Sequence, residues 1–147
     1  METSDFLQAD DIFKVFMVPF AIAEGKASDN DIEEFIGLNS SGRQGRYYRL
    51  AAETFKLIKT SNNMSSLTPE GEAFIALADT NKRLLYIRDI LPGTPVFCEG
   101  IQYLETIPKP SRSDLKKWFI TQYPGSENTA ERRFSSFENY LKETDYL

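Results

Sequence analysis

The side chains best suited to recognition chemistry lie in one segment, SSGRQGRYYRLAAETFKLI, which spans residues 40–58. A guanidinium group donates paired hydrogen bonds to a phosphate or to a guanine edge, which an ammonium group cannot do. Four side chains are candidates for contact with bases or phosphates: Arg43, Gln44, Arg46 and Tyr47. Ser40, Ser41 and the free amides of the first helical turn can bind a phosphate. Gly42 and Gly45 allow this helix start to approach a backbone closely.

The charge of the chain is unevenly distributed. The net charge of the 147 residues is -5, which by itself argues against nucleic acid. Residues 1–36 hold nine acidic and two basic side chains, so the rest of the chain has a net charge of +2. Residues 42–59 alone have a local charge of +4. Because only the local field faces a phosphate backbone, an acidic chain can still bind DNA through this segment.

Several kinds of catalytic site are excluded by composition. The chain has no histidine and one cysteine, Cys98. It therefore lacks Ser-His and Cys-His pairs, a histidine base, thiolate zinc clusters and an internal disulfide. The carboxylate pairs Asp10-Asp11 and Glu33-Glu34 are explained more simply by helix capping and solvation than by a metal ion. We predict a protein without catalytic residues, cofactor or metal.

Apolar periodicity and capping residues predict eight helices and one hairpin. The predicted helices span residues 11–24, 29–36, 40–59, 69–78, 80–91, 95–105, 112–123 and 127–142. Asn62 and Asn63 tolerate positive φ and predict a tight turn between two short strands. Pro19 is expected to kink or break the first helix.

The third predicted helix has one apolar and one mostly cationic face. The apolar face comprises Tyr47, Leu50, Ala51, Thr54, Leu57 and Ile58. Tyr48, next to Tyr47, is then expected at the surface, because adjacent helical residues point about 100° apart. A basic stripe is often only a solvated face. Here Glu53 is the one acidic partner at helical spacing, which favours DNA binding.

The order helix, short helix, basic helix, hairpin, helix is typical of a winged helix-turn-helix. We therefore predict a mainly α fold with a small β-hairpin wing, arranged as tandem winged helix-turn-helix units. The first unit spans residues 1–79. The second spans residues 80–147 and lacks room for a wing, since only Thr144–Leu147 follow its last helix. The chain is then either a fragment of a longer protein or contains a minimal helix-turn-helix.

Two runs resemble known winged-helix proteins. Leu67-Thr68-Pro69-Glu70-Gly71 resembles the wing-to-helix junction of prokaryotic winged-helix proteins. The run from Ser126 to Phe137, SENTAERRFSSF, resembles the recognition helix of winged-helix modules attached to restriction endonucleases. The tryptophan-containing end of that helix is replaced here by Tyr140-Leu141-Lys142. The resemblance implies recognition of double-stranded DNA in a restriction or defence system, with a nuclease domain or subunit as a partner.

The candidate DNA contacts follow from both units. Phosphate contacts are expected from Ser41, Lys56, Lys59, Arg112 and Lys117. Base contacts are expected from Arg43, Gln44 and Arg46 in the first unit and from Asn128, Thr129, Arg132 and Arg133 in the second. Glu127 and Glu131 lie beside Arg132 and Arg133, so ordinary surface ion pairs are an alternative there.

Two other functions fit the same sequence. One is a protein-interaction scaffold, and the other is a transcription regulator that dimerises through its first helix. The acidic start METSDFLQADD lacks the basic region of a signal peptide, and no apolar run reaches about 18 residues. These features predict a cytoplasmic protein that makes no membrane contact.

Overall fold

A computed structural model describes all 147 residues. The fold is mainly helical with one two-stranded antiparallel hairpin. The elements are α1 (Ile12–Ala23), α2 (Asp29–Phe35), α3 (Arg43–Thr54), β1 (Ile58–Ser61), β2 (Met64–Leu67), α4 (Pro69–Ile75), α5 (Thr80–Ile90), α6 (Pro95–Thr106), α7 (Arg112–Gln122) and α8 (Glu127–Glu143). Short 3-10 turns cover Thr3–Asp5 and Leu91–Gly93. None of these helices combines the length and the apolar content that a bilayer crossing requires.

Side-chain caps begin six of the eight helices, whereas Gly42 before α3 and Thr94 before α6 make no side-chain capping hydrogen bond. Asp11 accepts hydrogen bonds from the amides of Phe13 and Lys14 at the start of α1. Ser111 and Asp114 form a reciprocal capping box at the start of α7. The hydrogen bond from the Ser111 hydroxyl lowers the pKa of the Asp114 carboxyl below its usual value. Each cap satisfies amides that the first helical turn leaves without a partner.

The predicted hairpin is confirmed. Asn62 and Asn63 have φ angles of +51° and +62°, and Ile58 pairs with Leu67 at the open end. The Ser65 amide donates to the Ala27 carbonyl at 3.0 Å, which attaches the hairpin to the α1–α2 connection.

The prediction of one helix over residues 40–59 is wrong at both ends. α3 begins at Arg43 and ends at Thr54. Lys56 has a φ of +63°, which turns the chain out of the helix and into β1. The reason is tertiary: pairing β1 with β2 keeps both Leu57 and Ile58 buried in the core.

The predicted orientation of α3 is wrong for the two tyrosines and Leu50, whereas Ala51 of the predicted apolar face is buried as expected. Tyr48 is buried with 4% of its surface exposed, Tyr47 is partly exposed and Leu50 is exposed. The Tyr48 hydroxyl accepts a hydrogen bond from the Asp11 amide at 3.2 Å. This contact, together with the packing of Ala51, Ala52 and Phe55 in the core, fixes the helix in a rotation that apolar periodicity does not identify.

α1 continues through Pro19, so a break there is wrong, while a kink stays a prediction. Seven of the twelve residues of α1 are buried, and Pro19 is one of them. Packing on most sides of the helix offsets the backbone hydrogen bond that proline removes. α4 also differs from its prediction, because it ends at Ile75 rather than near residue 78.

One hydrophobic core joins the two predicted units. A single cluster of 30 buried residues extends from Phe6 to Leu141. Phe55, just after α3, lies edge to face with Tyr140 of α8 at 5.6 Å between ring centroids. The Tyr140 hydroxyl donates to the Ala9 carbonyl at 2.8 Å. The division at residue 79 stays a prediction, but the two parts pack as one body.

Gly45 permits the close packing of α2 against α3. A Cβ atom at residue 45 would collide with the backbone carbonyl of Asp29 in α2. Gly42 precedes α3 with a φ of +90°, a conformation that L side chains rarely adopt. The close backbone approach expected at these glycines is therefore an approach to the chain's own α2.

We predict that Gly45→Ala lowers the free energy of unfolding by about 1–3 kcal/mol, because the added methyl group forces α2 and α3 apart. Gly93→Ala is the matched control, since a Cβ atom there meets nothing within 4 Å. Urea unfolding of both variants measures the effect. Equal stability of the two variants would contradict this packing.

Candidate functional site

A buried carboxylate fixes the turn between α2 and α3. Glu33 has 4% of its surface exposed. Its Oε1 accepts from the amides of Ser40 at 2.6 Å and Gly42 at 3.1 Å. Its Oε2 accepts from the Ser40 hydroxyl at 2.6 Å and from the Gly45 amide at 3.0 Å. One acidic side chain thus satisfies four donors around the start of α3.

These hydrogen bonds stabilise the ionised form of Glu33. The Ser40 hydroxyl makes the largest contribution, and together the donors lower the pKa of Glu33 from 4.5 to about 2. The Gln44 amide is also occupied, since it donates to the Ser40 hydroxyl at 2.8 Å. The expectation that Ser40 and the first-turn amides of α3 bind a phosphate is therefore wrong, because these groups already bind each other and Glu33.

The arginines of α3 differ in their availability. Arg49 is held by Asp29 at 2.6 Å and by Glu53 at 3.0 Å, with 17% of its side chain exposed. It therefore serves the contact between α2 and α3. Arg43 and Arg46 are exposed and take part in no ion pair. Their guanidinium groups remain available to a ligand.

A polar cleft of about 370 Å³ lies between α3 and α8. Its walls combine candidate residues from both predicted units: Arg43, Gln44 and Tyr47 from α3, and Thr129, Arg132 and Arg133 from α8. From the sequence, these residues are expected on two separate DNA-contacting helices. The structure places them around one cavity, so one ligand can contact both sets.

Three further residues line the cleft: Gln8, Asp10 and Ser136. None of the three is among the residues that the sequence predicts for DNA contact. Ser136 has a recognisable signal, because with Thr129, Arg132 and Arg133 it forms a polar stripe at helical spacing on α8. Its hydroxyl donates to the Asp10 carboxylate. Gln8 and Asp10 lie in the segment before α1, where no periodicity indicates which side chains face a cavity.

Arg133 is partly committed to the fold. Its guanidinium donates to the carbonyls of Thr3 at 3.1 Å and Phe6 at 3.3 Å. It also lies over the Tyr123 ring at 5.2 Å from the centroid. Arg133 therefore contributes charge to the cleft, while its Nη1 group is occupied by contacts within the fold.

The remaining candidate residues lie outside the cleft. Arg112 pairs with Glu138 at 2.8 Å and lies over the Phe134 ring. The others are exposed at separate positions: Ser41 before α3, Arg46 on α3, Lys56 after α3, Lys59 on β1, Lys117 on α7 and Asn128 on α8. The ion pair makes Arg112 a weaker candidate for a phosphate contact than the exposed residues.

Comparison with protein families gives one match, which covers residues 15–142. The matching family is described as "Domain of unknown function (DUF7226)". The chain belongs to the DUF7226 family. The match includes α3, the hairpin and nearly all of α8, so both walls of the cleft lie within the DUF7226 domain. No curated protein and no solved structure matches the chain.

We predict that Glu33→Gln destabilises this DUF7226 domain at neutral pH, because the amide offers one acceptor oxygen and turns an NH2 group toward donors. The pKa of Glu33 is lower in the folded state than in the unfolded state. Its stabilisation is therefore fully present above about pH 4.5 and is lost as the pH falls toward 2.

Thermal unfolding of the wild type and the variant from pH 7 to pH 2 measures this difference. The gap in Tm should shrink through the interval between the two pKa values. A gap that stays constant over that interval would contradict the assigned role of the carboxylate.

Proposed function

We propose that this protein is a double-stranded DNA-binding module that contacts DNA through the exposed parts of α3 and α8. The observation that carries the proposal is the cleft between these helices, where guanidinium groups of both helices face one space. Arginine suits such contacts because its planar donors match phosphate oxygens and guanine edges.

The order of the first elements supports a winged helix-turn-helix. α1 packs against α2, α3 and β2, and the hairpin follows α3 directly. In this arrangement α3 is the recognition helix and the hairpin is the wing. Arg43 and Arg46 are exposed in the N-terminal half of α3, where recognition helices contact base edges.

α7 and α8 form the second unit of the proposal. They pack against each other and are joined by the short connection over residues 123–126. In the proposal this unit is a helix-turn-helix whose second helix is α8. Its Arg132 and Thr129 lie beside Arg43 and Gln44. In the proposal the two units thus form one continuous contact surface. That a nuclease domain or subunit is a partner is inferred from the sequence resemblance alone.

The alternative functions receive less support from the structure. A regulator that dimerises through its first helix needs an apolar face on α1, but Phe13 is the one large apolar side chain exposed there. Single exposed apolar side chains are common on monomers and do not indicate an interface. A scaffold role accounts for the acidic surface but gives no reason for the arginines in the cleft.

We predict that the double variant Arg43→Ala/Arg46→Ala binds a mixed-sequence duplex more weakly, by about 1–3 kcal/mol for each bidentate arginine pairing that the substitutions remove. The slope of log K against log salt should also fall by about 1 for each phosphate that the variant no longer neutralises. Fluorescence anisotropy across a salt series measures both quantities. Lys82→Ala is the control, since Lys82 is exposed on α5 outside the proposed surface.

If the double variant keeps the affinity and the salt slope of the wild type, α3 does not contact the DNA. A wild-type protein that binds no duplex at low salt would contradict the proposed function as a whole.

A further inference from the structure

The lining of the α3–α8 cleft is almost entirely polar. Tyr47 is the one hydrophobic residue among the nine that surround it. Three of the nine carry a guanidinium group, and one, Asp10, carries a carboxylate. The cleft is therefore locally cationic in a chain whose net charge is -5. A cluster of positive charges attracts anionic ligands and raises their local concentration.

Arg43 and Arg132 approach the cleft from opposite walls with unused donors. The ion pairs of the structure involve Arg49, Arg112, Lys116 and Lys142, and neither of the two cleft arginines. Arg43 makes no side-chain hydrogen bond, and Arg132 makes one, to the Thr129 hydroxyl at 3.2 Å. Most of their ten N–H donors are therefore free to bind a ligand.

Local contacts hold the α8 wall in place. The Thr129 hydroxyl oxygen lies 2.9 Å from the Ser126 hydroxyl, which also caps α8. Arg132 is thereby attached to the first turn of its own helix. Side chains held before binding lose less conformational freedom when the ligand arrives. The opposite wall is held by Glu33, which fixes the start of α3 beside Arg43.

We infer that the α3–α8 cleft is a phosphate-binding subsite, in which Arg43 and Arg132 donate to the same phosphate group. The non-bridging oxygens of a phosphate surround a tetrahedral centre, so guanidinium groups can donate to them from two directions, in a phosphodiester as in a phosphate monoester. Gln44 and Thr129 supply neutral polar groups at the edges. In the proposed DNA-binding function on which this inference rests, the phosphate belongs to a DNA strand; a free nucleotide carries the same chemical group.

The charge of Asp10 makes a specific prediction about phosphate affinity. Its carboxylate lines the same cleft and accepts a hydrogen bond from Ser136. A negative group beside a phosphate opposes its binding, and an amide in the same place can still accept from Ser136. Asp10→Asn should therefore strengthen phosphate binding. A ligand that instead used Asp10 as an acceptor would bind this variant more weakly.

Titration with inorganic phosphate and with dAMP, followed by NMR shifts of backbone amides at low ionic strength, tests the subsite. We expect saturable shifts around the cleft and affinities lowered about tenfold or more in Arg43→Ala and in Arg132→Ala. Lys82→Ala is the control: Lys82 lies on α5, is exposed and does not line the cleft. It should bind both probes like the wild type, and Asp10→Asn should bind them more tightly.

The inference is overturned if neither probe gives saturable shifts at the cleft, or if binding survives removal of both Arg43 and Arg132. It is also overturned if Asp10→Asn weakens binding of both probes. Unfolding curves of each variant separate these results from a loss of folding.

Duplex binding by the same variants distinguishes the two sources of the phosphate. If duplex binds far more tightly than dAMP and Arg132→Ala weakens both, the subsite holds a phosphate of the DNA strand. If dAMP binds through the cleft while duplex does not bind at all, the phosphate-binding subsite is supported and its ligand is a free nucleotide. The proposed DNA-binding function then fails. If Arg132→Ala weakens neither ligand, the subsite fails, whereas DNA binding through the rest of α3 can remain.

Discussion

The arrangement of the start of α3, and with it one wall of the cleft, depends on the Glu33 carboxylate. A buried charge is costly unless it is hydrogen-bonded, and Glu33 meets this requirement with four donors from the turn and first residues around α3. The same bonds satisfy amides that would otherwise be left without partners at a helix start. The position of Arg43 and Gln44 is therefore set by the hydrogen bonds that Glu33 accepts from the neighbouring Gly42 and Gly45 amides.

A second constraint is the common core, which determines what lies opposite α3. Tyr140 of α8 contacts Phe55 and bonds the Ala9 carbonyl, so α8 is attached both to the end of α3 and to the segment before α1. Arg133 strengthens this attachment by binding two carbonyls of the same segment. As a result, α8 forms the second wall of the cleft and is not a separate DNA-contacting helix. We propose that one ligand contacts both helices.

Local sequence signals predicted much of the fold, because their causes are local. Ser111 with Asp114, and Asn62 with Asn63, act within three residues and correctly mark a helix start and a turn. The rotation of α3 was not predictable in this way, since it depends on a hydrogen bond between Tyr48 and the distant Asp11 amide. The role of Glu33 was equally hidden, because glutamate is seldom buried and its donors are seven to twelve residues away. The arginines of the site were identifiable by type, but their meeting in one cleft is a result of tertiary packing.

The central claim is that Arg43 of α3 and Arg132 of α8 act on the same ligand. A double-mutant cycle on duplex affinity, with Arg43→Ala, Arg132→Ala and the combined variant at one salt concentration, tests it most directly. Groups that share one phosphate should be coupled, so the combined variant should lose less binding free energy than the two single variants together, by about 0.5 kcal/mol or more. Losses that simply add would mean that the two arginines act at independent places, and the account of a joint site would be wrong.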